Sequence, residues 1–144
     1  MGHLIFIKPE QDRGQPSHVL IITMTKNFQH QLSLLKPDEY CMGTDDVLER
    51  LKTLTEWELF KTNDDAIRKT FTFQNYLDGL TFLNVIAKKS DELNHHPDLC
   101  LGFKKLTVTW STHDIGGLHD NDFICADMCD QFYSEHLKSA QSRP

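Results

Sequence analysis

Asp91-Glu92-Leu93-Asn94-His95-His96-Pro97-Asp98 is the stretch on which the reading of this chain turns, followed closely by Trp110-Ser111-Thr112-His113-Asp114-Ile115-Gly116-Gly117-Leu118. Proline disfavours helical geometry in the residue before it, so a helix arriving from upstream should end at or just before the paired histidines. Such a helix is predicted from about Asn75 to about Leu93, with Leu77, Leu80, Leu83, Ile86 and Ala87 as its buried stripe and Phe82 and Val85 flanking it. Downstream, Phe103 to Thr112 alternates as a strand should. Leu106, Val108 and Trp110 point one way, Thr107, Thr109 and Ser111 the other, and Gly116-Gly117 breaks the pattern as a turn. Of eight histidines, only His95, His96 and His113 have a local context that could bring them together.

Working outward, Thr44 is a good N-cap, with Asp45 and Asp46 placed where the helix dipole favours acids. Val47, Leu48, Leu51 and Leu54 then predict a helix ending near Thr55. Trp57 to Lys61 and Ile67 to Phe73 alternate as strands around the turn Asn63-Asp64-Asp65, and should pair as a hairpin. A last helix from about Asp120 to about Leu137 should bury Phe123, Ile124, Met128, Phe132 and Tyr133. The order is helix, strand, strand, helix, strand, strand or loop, helix. It predicts an α+β fold: an antiparallel four-stranded sheet with helices packed on one face and a Thr-rich face left to solvent. Residues 1–43 read as an appended extension, with short strands at Leu4 to Ile7 and Val19 to Thr25 and a third strand or helix from Asn27 to Leu35. Residues 44–138 read as the domain, and 139–144 as a polar, frayed tail.

Composition narrows the function classes. Hydrophobic residues at 39% and charged residues at 25% are ordinary for a soluble globular domain, and 144 residues can bury a core without staples. Fifteen basic against 21 acidic residues leave a net charge of −6, which argues against direct nucleic-acid binding. No apolar run approaches a membrane span. With no secretory signal pattern at Met1 to Glu10 and no CxxC, the four cysteines read as reduced thiols and the location as cytoplasmic.

A histidine at the C-terminal end of a helix meets the partial negative charge there. Asp91 and Glu92, one turn upstream of His95 and His96, act in the same direction. Such a group can serve as a general acid, and His113 at the strand end could line the same cleft as a second proton-transfer group. The pair suits chemistry that removes one proton while donating another, such as elimination of water. Other readings stay open: a surface cap for His-His-Pro, a turn residue for His113, a dipole-complementing acid for Asp122, and a zinc site from the three imidazoles. The zinc reading lacks the usual i, i+4 or HxH ligand spacing. His3, His18, His30, His119 and His136 suggest only exposed or capping roles.

The same residues carry a resemblance. Asp91-x-x-Asn94-His95-His96-Pro97, the strand Leu106 to Thr112, and Ser111-Thr112-His113-Asp114-x-Gly116-Gly117-Leu118-x-x-x-Asp122 resemble the pterin-4a-carbinolamine dehydratase family over about Thr44 to Leu137. The resemblance implies dehydration of 4a-hydroxytetrahydrobiopterin to quinonoid dihydropterin, in tetrahydrobiopterin recycling. No metal and no cofactor are implied, the pterin being the substrate. Catalysis would fall to His95, His96 and His113, with His95 and His113 as the acid/base pair and His96 helping to bind and orient the pterin. Asn94, Ser111, Thr112 and Asp114 would line the pterin pocket, with Asp91 beside them and Asp122 in support. The family implies a homodimer or homotetramer and, in some members, a transcription-factor partner, so a non-catalytic dimerisation or coactivator module on the same fold is the alternative. Against the family pattern, Asn94 replaces an aspartate, Asp91 a glutamate and Leu99 a tryptophan, while His119 stands where a serine would cap the last helix.

Overall fold

The computed structural model describes Leu32 and residues 41–142. The strands expected at Leu4 to Ile7 and Val19 to Thr25, and the element expected from Asn27 to Leu35, lie outside these residues apart from Leu32, which packs against the core.

Helix α1 spans Thr44–Leu51, one residue off the expected cap: Gly43 is the N-cap and Thr44 is already helical. The helix stops at Leu51 rather than near Thr55. Lys52, Thr53 and Leu54 each donate to the carbonyl three residues back, so the apolar period continues through tightened turns without an α-helix beneath it. Val47 is buried and Leu48 is half exposed. Glu56, at φ 67°, then redirects the chain.

Strands β1 (Glu58–Lys61) and β2 (Asp65–Thr72) form the expected hairpin, with Glu58 opposite Arg68 and Lys61 opposite Asp65. The Arg68 guanidinium donates to Glu58 at 2.8 Å and lies 3.9 Å over the Phe60 ring. On the helix-covered side, Lys69 donates to Asp130 at 2.8 Å and to the Thr55 carbonyl at 3.0 Å, and the Trp57 indole donates to the same carboxylate at 3.0 Å.

Helix α2 (Tyr76–Leu93) is capped by Asn75, whose side-chain oxygen accepts from the Asp78 N–H at 2.9 Å. The expected stripe holds at Ile86 and in part at Leu83 and Ala87, but not at Leu77 and Leu80. Phe82 and Ile86 are buried, whereas Leu77 is 67% and Leu80 36% exposed. The rotation follows from Gly79: a Cβ there would stand 3.1 Å from Leu101 and 3.3 Å from Phe73. A side chain there would make tight contacts with both, so Gly79 suits the face that lies against the sheet, and the positions aligned with it face inward.

The fourth strand of the expected sheet, β3 (Asp98–Gly102), comes before the Leu106-to-Trp110 strand rather than after it, and pairs with β4 (Lys105–Trp110) through a two-residue turn. Phe103, expected to open the strand, is in that turn and 72% exposed. The sheet runs β1-β2-β4-β3, antiparallel throughout. Ile67, Phe71, Leu106, Val108 and Trp110 fill the helix-covered face, and Thr70 and Thr107 share a 2.8 Å hydroxyl contact on the open one. Helix α3 (Asp120–Gln141) buries Phe123, Ala126, Met128, Cys129 and Phe132 against this core. It runs on through Gln141, into the first half of the segment expected as a frayed tail. None of the described helices is long and apolar enough to cross a membrane.

Candidate active site

Antiparallel pairing gathers the histidine segments. Asp98 pairs with Thr109, so the residues just before β3 and those just after β4 lie at one end of the sheet. Ile67 pairs with Trp110, which brings the start of β2 to the same end. The Met42 N–H donates to the Leu118 carbonyl at 2.8 Å, so the segment entering α1 closes over this end as well.

The position of His95 is set by how α2 stops. Asn94 adopts a left-handed conformation (φ 53°, ψ 39°) and donates to the Asp91 carbonyl at 3.2 Å, while the His95 N–H reaches back to the Ser90 carbonyl at 3.1 Å. This is a Schellman ending, and asparagine is among the few side-chain-bearing residues that tolerate it. The left-handed residue breaks the i, i+4 register expected to set Asp91 beneath His95. Asp91 instead contacts His96 at 3.1 Å, on an exposed surface, and Glu92 pairs with Lys89 at 3.2 Å.

His95 is mostly buried and turns toward α3, its Nε2 standing 2.7 Å from Asp122 Oδ1. An ionised carboxylate only accepts, so Nε2 carries the proton. The ring lies nearly parallel to the Trp110 indole, 14° between planes and 5.2 Å between centroids, which fixes its plane. Asp122 is wholly buried, and its Oδ2 accepts from the Thr112 hydroxyl at 2.7 Å and from the His119 N–H at 3.0 Å. Three donors thus satisfy one buried carboxylate. Behind it, burial pushes the Cys125 and Cys129 thiols far above the usual thiol range, and the Asp122 charge adds to this at Cys125. The Trp110 N–H has no hydrogen-bond partner of good geometry among the described residues, and its contact with the Cys129 sulfur is a weak substitute.

The other predicted residues fall around this pair. Ser111 is buried, and its hydroxyl donates to the Asp65 carbonyl at 2.9 Å and the Gly117 carbonyl at 3.3 Å, tying β2 to the loop. Thr112 and Gly117 form an isolated bridge that pinches off a 3-10 turn, His113–Ile115, closed by Gly116 at φ 69°. His113 and Asp114 are therefore exposed on a short constrained loop, covalently next to Thr112. Asn94 is exposed as the helix cap and His96 faces solvent. Hence His95 and Thr112 meet at Asp122, and His96, Asp91, Asn94, His113 and Asp114 are exposed residues of the segments that come to this end of the sheet. Among the described residues no group of three or more His, Cys, Asp or Glu side chains is placed to hold a metal ion.

Two contributors had little sequence signal. Trp110 looked like one more inward strand residue, and its role under His95 depends on packing. His119 had been expected only to be exposed or to cap locally. It is 5% exposed and caps α3, its Nδ1 accepting from the Asn121 N–H at 3.1 Å, so an imidazole does the work of the serine.

The family model described as Pterin 4 alpha carbinolamine dehydratase matches residues 42–132. A protein of Marinobacter nauticus (strain ATCC 700491 / DSM 11845 / VT8), provisionally named a pterin-4-alpha-carbinolamine dehydratase, is 42% identical over 84 residues, covering 58% of this chain and 76% of the relative. A similarly named protein of Vibrio vulnificus (strain YJ016) is 38% identical over 95 residues, covering 65% and 86%. Among solved structures, one described as a transcriptional coactivator/pterin dehydratase from Brucella Melitensis shares the fold, with a TM-score of 0.60 at 22% identity over 65% of this chain and 98% of that one. The matched span takes in α1, the whole sheet, the His95–Asp122 pair and most of α3, and the chain belongs to the pterin 4 alpha carbinolamine dehydratase family.

Proposed function

We propose that this protein dehydrates 4a-hydroxytetrahydrobiopterin to quinonoid dihydropterin, in the recycling of tetrahydrobiopterin. The reaction delivers one proton to the 4a-hydroxyl, which leaves as water, and withdraws one from N5 as the C4a–O bond breaks and the C4a=N5 bond forms. An acid and a base must therefore flank one carbon. The observation that carries the reading is the 2.7 Å contact between His95 Nε2 and the fully buried Asp122 carboxylate. With Nε2–H committed to the carboxylate, Nδ1 is the nitrogen left to exchange a proton with the pterin. Asp122 holds the tautomer and balances the charge when the ring is doubly protonated. His113 is the partner proton-transfer group on the 3-10 turn, and His96 orients the pterin. Asn94, Asp91 and Asp114 face it from the exposed side, and Ser111 and Thr112 shape its floor. The chemistry needs no metal and no cofactor, the pterin being the substrate. The protein works in the cytoplasm as a homodimer or homotetramer.

Stopped-flow absorbance of synthetic 4a-hydroxytetrahydropterin decay, with wild type and His95→Ala in EDTA, tests this. Acceleration that persists in EDTA and largely disappears in the variant is expected. Folded wild-type protein that leaves the spontaneous decay unchanged would overturn the enzyme and favour a non-catalytic dimerisation module.

A further inference from the structure

We infer that His119 is a positioning residue for His95, acting through the first turn of α3 and Asp122. The inference rests on the reading of His95 as a proton-transfer group.

Two reciprocal contacts lock the start of α3. The His119 ring accepts from the Asn121 N–H at 3.1 Å, and the Asp122 carboxylate accepts from the His119 N–H at 3.0 Å. The Asp122 N–H also reaches the His119 carbonyl at 3.0 Å, closing the turn. This is a capping box in which an imidazole stands where a hydroxyl usually does. Its effect on the site follows from how Asp122 divides its oxygens. Oδ2 takes the Thr112 hydroxyl and the His119 N–H, which leaves Oδ1 aimed at His95. Among the described residues the backbone of residue 119 is therefore one of two anchors on Oδ2, and the His119 ring holds that backbone in place by tying itself to residue 121. A helix start that frays by one residue swings Oδ2 off its donor and takes Oδ1 away from His95. The ring is 5% exposed, so it sits inside the fold with its lone pair on the helix.

Helix capping alone is the competing role for His119. His119 could simply cap the helix, contributing to stability with no consequence for His95. The two differ in what happens to the His95 ring and to turnover, not only to melting.

The test compares wild type with His119→Ala, which removes the acceptor, and His119→Ser, which restores one. His119→Gly, a tolerated N-cap without an acceptor, stands in if the alanine protein does not fold. Two readouts are taken on the full chain. One is the 15N chemical shifts of the His95 ring, which report whether Nε2 or Nδ1 carries the proton. The other is kcat and KM for decay of the synthetic carbinolamine. We expect the His95 ring of His119→Ala to lose its single Nε2–H tautomer and kcat to fall about 10- to 100-fold with KM little changed, the scale of a modest misplacement of a catalytic group. His119→Ser should recover both. In an Asp122→Asn background His119→Ala should have little further effect on kcat. A folded His119→Ala protein with wild-type tautomer and kcat, whatever its melting temperature, would overturn the inference while leaving the dehydratase standing. Should the wild type prove inactive, the dehydratase fails, and the 15N comparison still decides for or against positioning.

Discussion

Replacing Asp122 by asparagine should separate what this residue does for the fold from what it does for the site. The carboxylate is fully buried and accepts from His95 Nε2, the Thr112 hydroxyl and the His119 N–H. Asparagine with its carbonyl in the place of Oδ2 keeps the last two contacts. Its amide then points at His95 Nε2, which must give up its proton to Nδ1 to accept. One charge-assisted hydrogen bond becomes a neutral one, a loss of about 1 kcal/mol from the difference between the two kinds. That corresponds to roughly 4–8 °C in melting temperature for a domain of this size. Alanine instead strands the Thr112 hydroxyl and the His119 N–H, both buried, and should cost about 3–5 kcal/mol. Activity follows a different order. The asparagine protein holds Nδ1–H where a proton-exchanging nitrogen is needed and has no charge to balance the imidazolium, so the rate should drop by about 10²- to 10⁴-fold. Stopped-flow absorbance gives the rate and urea unfolding gives the stability. A folded Asp122→Asn protein turning over at the wild-type rate would refute the positioning argument. One less stable than Asp122→Ala would refute the hydrogen-bond assignment.

Asn94 holds a left-handed backbone, so Asn94→Gly should be nearly neutral in urea unfolding and Asn94→Val should cost about 1–2 kcal/mol; equal stability of the two variants would contradict the Schellman ending. For Asp130, burial raises the carboxyl above its ordinary 3.8, outweighing the opposing Lys69 and Trp57 hydrogen bonds. A raised folded-state value means that the folded protein binds the extra proton, so wild type should lose stability relative to Asp130→Asn as pH rises through the window above 3.8. Unfolding at about pH 4 and about pH 7 checks the sign, and a gain by wild type would mean that the Lys69 pair dominates. Burial keeps Cys125 and Cys129 protonated at neutral pH while Cys41 and Cys100 are exposed. A thiol-specific reagent should thus label Cys41 and Cys100 in the native protein and all four after denaturation; rapid native labelling of Cys129 would show that α3 opens.

Much of the architecture is visible in residues close together in the chain. The alternation of Leu106, Val108 and Trp110, the Trp57-to-Phe73 hairpin and the stop before His95 all express local rules, because strand period and helix termination act within a few residues. Elements whose identity depends on neighbours were hidden. Strand β3 is a five-residue edge with Leu99 and Leu101 only partly buried, so its pattern is faint until β4 pairs with it. The face that α2 buries carries Gly79, Phe82 and Ile86 and leaves Leu77 and Leu80 exposed, a choice made by the close packing of Gly79 on Leu101 and Phe73 and not legible from the leucines. The site divides in the same way. The histidines and the loop around Gly116 could be picked out by residue type and spacing, and Asp122 only through the family resemblance. Which carboxylate each histidine meets could not, since His95 and His96 are adjacent in sequence yet turn to Asp122 and Asp91 respectively. That choice belongs to the tertiary structure alone: the left-handed Asn94 aims His95 inward, and the packing of α3 on the sheet puts a buried carboxylate there to meet it.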